Sequence, residues 1–415
     1  MRCELLPTAE GPAVKAFRSG THRAAAPEAT VERVGRLMPV LGITRVANVT
    51  GLDSVGIPVV MVCRPNSRSL AVSQGKGLTL TAARASGLME AAEGYHAERI
   101  TLPLKLASYN ELRFTHAVTD PAVLARLSTS AFHGDLRLLW IEGWDAVAGT
   151  AVWLPYESVH TDFTLPLPPG SGCFPLTGNG LASGNHRLEA MSHALAEVIE
   201  RDADALWEIA GPEAWTRTRL DLGSVDDPAC CEVLDRLDGA GVSVAAWETT
   251  SDLGVAAFRC VILDRSVNPV RPLGPNQGTG CHPSRGVALL RALTEAVQSR
   301  LTGIAGSRDD LRRSRYAALQ DLDALEVLQA GLAAPGPRRD FRDAPDWEGN
   351  TFEEDLLWML GRLSAAGLHQ VLAVDLTRPG LEIPVVRVVV PGLESSPHVP
   401  GYLPGLRART AAGIA

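Results

Sequence analysis

The sequence predicts an α/β fold in which mixed sheets alternate with long helices inside one domain. Three observations carry this. Leu188, Met191, Leu195, Val198, Ile199, Ala203 and Leu206 recur at helical spacing, with no Gly or Pro between Asn185 and Ile209. Short apolar runs such as Ile57-Pro-Val-Val-Met-Val-Cys63 have the composition of buried strands. The 415 residues, 46% of them hydrophobic, are ample for a sizeable core. Length alone would allow two or three domains, at roughly 150 residues each.

In chain order, residues 1–20 show no period and read as an arm or a first strand. Pro27 and Glu28 suit a helix start, and the helical pattern runs from about 31 to 41. Strands are predicted at 43–50 and 56–63, and another short one opens at 69–72. The stretch Ser73-Gln-Gly-Lys-Gly-Leu78 reads as a Gly-rich loop leading into a helix over 79–99. Strands at 136–143 and 150–155 flank a turn at 145–149, and 166–172 is a loop. A second Gly-rich loop, 178–185, opens the central helix. Strands follow at 243–249 and 255–263, then a Gly/Pro-rich loop at 266–284. A helix over 285–301 faces the core with Val287, Leu290, Leu293, Val297 and Leu301, leaving Glu295, Gln298 and Arg300 on the other side. Residues 307–346 read as a helix pair and a surface linker. A helix at 352–366 and strands at 371–377 and 384–390 complete the pattern, before a tail from 396.

The acidic residues of the central helix are its unusual feature. Glu189, His193, Glu197 and Glu200 share one face. Like charges on one face repel unless a cation offsets them. Such a face is either solvated or bound to a hard divalent ion, for which carboxylates are preferred ligands. The upstream helix repeats the arrangement with Ser86, Glu90 and Glu93 after its own Gly-rich loop. Two such helices face to face would set four carboxylates around one pocket, a geometry suited to two Mg2+ ions on a nucleoside triphosphate. A Walker loop is excluded at Lys76: Gly77 follows it, and no Gly stands five residues before it. Glu93-Gly-Tyr-His96 has the Glu-x-x-His spacing of di-iron bundles, but it occurs once, and the strands contradict a four-helix bundle.

Net charge is −8 with no basic stretch, which argues against duplex nucleic acid as a partner. No apolar run approaches the ~20 residues of a membrane span, and the N-terminus lacks a signal-peptide core. A cytoplasmic protein is expected. The cysteines, seven in number and without a Cys-x-x-Cys pair, argue against a disulfide framework and a structural zinc site. Cys281, beside His282, reads as a small buried residue or as a reactive thiol.

Gly180-Leu-Ala-Ser-Gly-Asn185, followed by Glu189-Ala, His193-Ala-Leu and Glu197-Val-Ile-Glu-Arg-Asp-Ala203, resembles the YcaO superfamily. The likeness spans roughly residues 20–395. It implies a YcaO domain at 21–395 between the arm and the tail, with ATP and Mg2+ as cofactors. It implies Glu90, Glu93, Glu197 and Glu200 as the metal shell. It implies Arg23, Thr30, Ser86, Ser183, Asn185, Glu189, Arg201, Glu295, Gln298 and Arg300 as nucleotide-binding residues, with Thr294-Glu-Ala-Val-Gln-Ser-Arg300 as a second signature. Departures are Gly94 where the family has Arg, and Ala182 where it often has Ser. Pro397, Pro400 and Pro404 are spaced more widely than the Pro-x-Pro-x-Pro ending of many azoline-forming relatives. The activity implied is ATP-dependent O-phosphorylation of a peptide backbone amide. Ser73-Gln-Gly-Lys-Gly and Leu167-Pro-Pro-Gly-Ser-Gly-Cys look most like stand-alone members that work beside a TfuA protein. This implies thioamidation of a precursor peptide, with azoline or macrocyclic amidine formation as the alternative and a homodimer left open. The rival class is a non-catalytic scaffold with a relict nucleotide site, which Gly94 and Ala182 would favour.

Overall fold

A computed structural model describes residues 5–8, 11–266, 273–308, 310 and 321–414. Cys3, the beginning of the expected arm, residues 267–272 of the expected loop and 311–320 of the expected helix pair lie outside the described residues.

Three units of sheet and helix organise the chain. The first is an antiparallel sheet of β1 (Arg45–Asn48), β2 (Val59–Cys63) and β3 (Val72–Lys76), which leads into helix α3 (Leu80–Ala97). The third repeats it with β9 (Val242–Glu248), β10 (Ala257–Asp264) and β11 (Asn276–Cys281), followed by α7 (Arg285–Ala305). Between them lies a larger antiparallel sheet, ordered β4-β5-β13-β14-β7, with β6 beside β5. Its strands are β4 (Leu104–Ala107), β5 (Leu138–Asp145), β6 (Thr150–Pro155), β7 (Leu181–Ser183), β13 (Leu372–Asp375) and β14 (Val385–Val389). β7 feeds the central helix α5 (Arg187–Thr218). A short parallel pair, β8 (Leu220–Asp221) with β12 (Arg339–Asp340), closes the third unit.

Two of the expected Gly-rich loops are strands. Ser73–Lys76 belongs to β3 and Asn276–Cys281 is β11. Their glycines serve packing. A Cβ on Gly75 would lie 2.0 Å from the Ala83 carbonyl and 2.1 Å from the Gly87 nitrogen. One on Gly280 would lie 2.2 Å from the Ala288 carbonyl. Each helix lies directly on the backbone of the strand before it, which only glycine allows. The third Gly-rich stretch is a loop except for β7.

The expected helix at 31–41 is two helices, α1 (Pro27–Gly35) and α2 (Met38–Leu41). Pro39 lacks an N–H and is tolerated only in a first turn, so it starts a second helix rather than continuing the first. Gly42, at φ 71°, ends α2. In α5 the helical path breaks at Gly211 (φ 76°), after which Pro212 opens a last turn or two. α4 (Tyr109–Leu112), α6 (Pro228–Gly239) and α8 (Leu322–Ala333) are peripheral, and α9 (Phe352–Ala365) packs on α5. Ala190, Ala194 and Val198 of α5 pack with Val386 and Val388 of the sheet, and Met359 and Leu363 of α9 join the same core.

The arm runs along α9. Lys15 is fully enclosed, 2.6 Å from Asp355, and donates to the Gly349 carbonyl. The tail ends in a short helix, α10 (Leu406–Ala411), clamped to α5 by Arg407 on Asp202 at 2.8 Å. Among the described residues, no helix is long and apolar enough to cross a membrane.

Candidate active site

The helices that follow β3, β7 and β11 carry the same spacing. Their N-caps are Thr79, His186 and Ser284. Eleven residues on stand Glu90, Glu197 and Glu295, and fourteen residues on stand Glu93, Glu200 and Gln298. Seven residues on stand Ser86, His193 and Arg291. In the strands, four residues before each cap, stand Gly75, Ala182 and Gly280. Positions 7, 11 and 14 share a helical face, and all nine of those side chains line one cavity of about 1030 Å³. Ala182, a departure from the family pattern, thus occupies a position where the other two strands carry glycine.

The carboxylates crowd without enough cations. Glu90 is exposed, but to the cavity rather than to the outer surface. Burial among protein groups raises its pKa to about 7, against the attraction of Lys76. Glu93 is pushed up to about 8, by burial first and by the Glu90 charge as well, although Ser183 donates to its Oε1 from the backbone at 2.8 Å and from the hydroxyl at 2.7 Å. Burial also raises Glu197, with Glu200 adding to it and Arg201 opposing. Arg201 lies 3.6 Å from Glu197 and 3.5 Å from Glu200. Thr279 donates to Glu200 at 2.7 Å. Carboxylates whose ionised form is disfavoured by enclosure and by one another form a donor set for hard divalent cations. The residues therefore fit Mg2+, which Glu90, Glu93, Glu197 and Glu200 would hold.

The remaining expected residues divide. Asn185 accepts at Oδ1 from Thr30 at 3.0 Å, and its backbone N donates to Glu189 at 2.9 Å. Arg23 reaches Glu189 at 3.4 Å. Together with Ser86, Ser183, Arg201, Glu295 and Gln298 these side chains line the cavity. Arg300 does not. It is buried in a pair with Asp53 at 3.1 Å and Asp264 at 2.9 Å. Five residues beyond Glu295, it is rotated about 140° around the helix and faces away. His96 also points elsewhere, bonding through Nδ1 to the Ala92 carbonyl, which removes the Glu-x-x-His alternative. Cys281 is fully buried and its thiol pKa is raised well above the ordinary value by that burial, so it is not a thiolate.

Three side chains complete the site beyond the expected set. Arg33 donates to Asn185 Oδ1 at 2.8 Å. Lys76 pairs with Glu295 at 2.6 Å. Arg291 donates to His193 and to the Cys281 carbonyl. Aligning the third helix on the first two by its N-cap would have found Arg291, because Glu-x-x-Gln replaces Glu-x-x-Glu at the same spacing.

The YcaO cyclodehydratase family model, described as ATP- and Mg2+-binding, matches residues 74–394. The chain belongs to the YcaO family. ATP and Mg2+ are the ligands of that family. A Rhizobium leguminosarum bv. trifolii protein, described as lying in the tfuA 3' region, is 37% identical over 90% of this chain and 88% of its own. A Methanothermobacter thermautotrophicus protein is 35% identical over 90% and 95%. Among solved structures, the YcaO protein of Methanopyrus kandleri bound with AMPPCP and Mg2+ superposes with a TM-score of 0.73 at 24% identity, over 94% of this chain and 98% of that one. A heterocyclase in complex with substrate and cofactor gives 0.76 at 23%, over 99% of this chain and 58% of the longer one. These two likenesses show that the YcaO fold spans the chain.

Proposed function

We propose that this YcaO protein uses ATP and Mg2+ to activate a backbone amide of a ribosomally made precursor peptide by O-phosphorylation, and that the product is a thioamide. The observation that carries the reading is the convergence of Glu90, Glu93, Glu197 and Glu200 from two helices on one cavity that Asn185 and Arg23 also line. An amide carbonyl is a weak electrophile because resonance stiffens its C–N bond. Bound ATP and Mg2+ supply the phosphoryl group that turns the amide oxygen into a leaving group and the charge that stabilises its transfer. The carboxylates hold the metals, Arg201 keeps Glu197 and Glu200 oriented, and Thr30 with Arg33 fixes the Asn185 side chain. A sulfur nucleophile adds to the amide carbon, the oxygen departs with the phosphate, and ADP remains.

The cavity continues past the carboxylates to Phe163, Asn179, Ser395 and Ser396, and its volume exceeds what a nucleotide fills, which supports a peptide segment beside it. The relative in the tfuA 3' region supports a TfuA-like partner and hence thioamidation. The heterocyclase likeness favours a second reading, cyclisation to an azoline or amidine. Co-expression with a precursor peptide, with and without a TfuA-like protein, followed by intact mass, tests both. Replacement of oxygen by sulfur is expected. Loss of water would select cyclisation. Peptide left unmodified, with no peptide-dependent ADP release, would favour a scaffold.

A further inference from the structure

Beyond the carboxylates the cavity runs to a loop between β6 and β7. Phe163 of that loop lines the cavity and is 41% exposed, and Leu165 and Leu167 beside it are exposed at 83% and 38%. Three large apolar side chains within five residues are more than the scatter of single ones that any surface shows. The loop is held at both ends. Asp162 pairs with Arg68 at 2.9 Å and accepts from the Thr164 backbone at 3.0 Å, and the Phe163 nitrogen donates to the Arg68 carbonyl at 2.9 Å. Glu157 accepts from the backbone nitrogens of Gly172, Cys173 and Phe174. Pro166, Pro168 and Pro169 stiffen what lies between. An apolar surface fixed in advance loses little entropy when a ligand covers it.

The same cavity carries polar groups with nothing to bind. Thr161 and Ser395 line it, and each is more than nine-tenths buried, its hydroxyl enclosed and without a hydrogen-bond partner among the described residues. Asn179 lines it too, and its Oδ1 is likewise unpartnered. An enclosed polar atom left unpaired is costly. One rotamer step would turn either hydroxyl toward the cavity, where it can both donate and accept. A peptide main chain offers a donor and an acceptor at almost every residue. It suits unpaired polar groups beside a fixed apolar surface.

We propose that Phe163, with Leu165 and Leu167, binds an apolar side chain of the precursor peptide that flanks the activated amide, while Thr161 and Ser395 bond the peptide main chain. This rests on the peptide reading above, and makes the substrate one with an aliphatic or aromatic residue beside the modified position.

Calorimetric titration of the pentapeptides Ac-Gly-Gly-X-Gly-Gly-NH2, with X as Leu, Phe, Ser or Asp, into the purified protein saturated with Mg2+–AMPPCP tests it. The Leu and Phe peptides should bind about 10- to 100-fold more tightly than the Ser and Asp peptides, the range for burying one such side chain. F163S should remove that preference and bind Mg2+–AMPPCP as the wild type does. T161V keeps the shape and removes the unpaired hydroxyl. Its melting temperature should hold or rise, while every peptide binds about 3- to 10-fold more weakly. T161V serves should F163S fail to fold. Equal affinity for the four peptides, or a preference that survives in F163S, would overturn the assignment and leave the nucleotide reading intact. Unchanged peptide affinity in T161V would make Thr161 merely structural and overturn that contact. Intact peptide preference in F163S with loss of only the TfuA-dependent mass shift would make the loop a partner's docking face and overturn the assignment too. A wild-type protein that binds no Mg2+–AMPPCP would overturn the nucleotide reading itself, and this assignment with it.

Discussion

Helices α5 and α7 carry the same frame and different chemistry. Each leaves a strand that packs directly beneath it, and each sends residues 7, 11 and 14 of its path into the cavity. On α5 those residues are His193, Glu197 and Glu200. On α7 they are Arg291, Glu295 and Gln298. α5 is an acidic arm whose carboxylates lack sufficient cations. On α7 one acid is a neutral amide, the other is held by Lys76, and an arginine has been added. One scaffold position therefore presents different chemistry on different helices: α3 and α5 carry acid pairs, and α7 carries an arginine, a paired acid and an amide. The lesson is that fold fixes where a side chain is presented, and residue type decides what it meets.

The comparison breaks first at Glu197. Glu197→Gln removes a charge from the acidic arm and should lower peptide-dependent ADP release about 1000-fold or more, equivalent to several kcal/mol of lost charge stabilisation. A variant that keeps most of its activity would remove Glu197 from the metal shell.

Arg300 supplies the contrast on the same helix as Arg291. It lies away from the cavity in a buried pair with Asp53 and Asp264. Arg300→Met strands both aspartates and should cost about 3–5 kcal/mol of stability, read as a lower melting temperature. The folded fraction should bind nucleotide as the wild type does. A selective loss of nucleotide affinity at unchanged melting temperature would return Arg300 to the site.

Acidity sharpens the picture of the acidic arms. Glu90 titrates at about 7 and Glu93 at about 8, both raised by burial. Metal binding requires their ionised forms. Affinity for Mg2+–nucleotide should therefore be highest above pH 8 and fall as pH drops through 8 and 7, by about tenfold per unit for each proton that must leave. Folding stability without ligand runs the other way. Raised carboxylate pKa values mean the folded state binds protons more tightly than the unfolded one. Their contribution is greatest at acidic pH and is lost as pH rises from about 4.5 through 8. Calorimetric titration at pH 6, 7 and 8.5 measures the first trend and thermal melts the second. An affinity independent of pH would deny that these glutamates hold the metal.

The smallest effect is at Ser183. Ser183→Ala removes the hydroxyl contact and leaves the backbone donor on Glu93. A loss of about 1 kcal/mol in Mg2+–nucleotide affinity is expected. A loss as large as that of Glu197→Gln would mean that the hydroxyl itself touches metal or phosphate.

Much of the candidate site is legible in the sequence. Glu90, Glu93, Glu197 and Glu200 announce themselves because an i, i+3 acid pair recurs after two similar glycine-rich approaches, and three of the long helices end close to where their periodicity stops. What escaped has physical reasons. Gly75 and Gly280 read as loop residues because composition cannot tell a glycine needed for a turn from one needed for close packing; the helix above each strand makes that difference. Arg300 was drawn in by its sequence neighbours, though the turn of the helix carries it away from Glu295. Arg291 and Arg33 act through partners distant in sequence, His193 and Asn185, which local patterns do not reveal. The split between α1 and α2 lies in Pro39, whose missing N–H outweighs the helical period.

The central claim is that acid pairs from two different helices hold one metal–nucleotide complex. Its most direct test is calorimetric titration of Mg2+–AMPPCP into the wild-type protein and into two double variants, E90Q/E93Q and E197Q/E200Q. The account predicts magnesium-dependent binding to the wild type and loss of that binding in both variants, with each still folded. Wild-type affinity in either double variant would show that one helix suffices and would contradict a site shared between them.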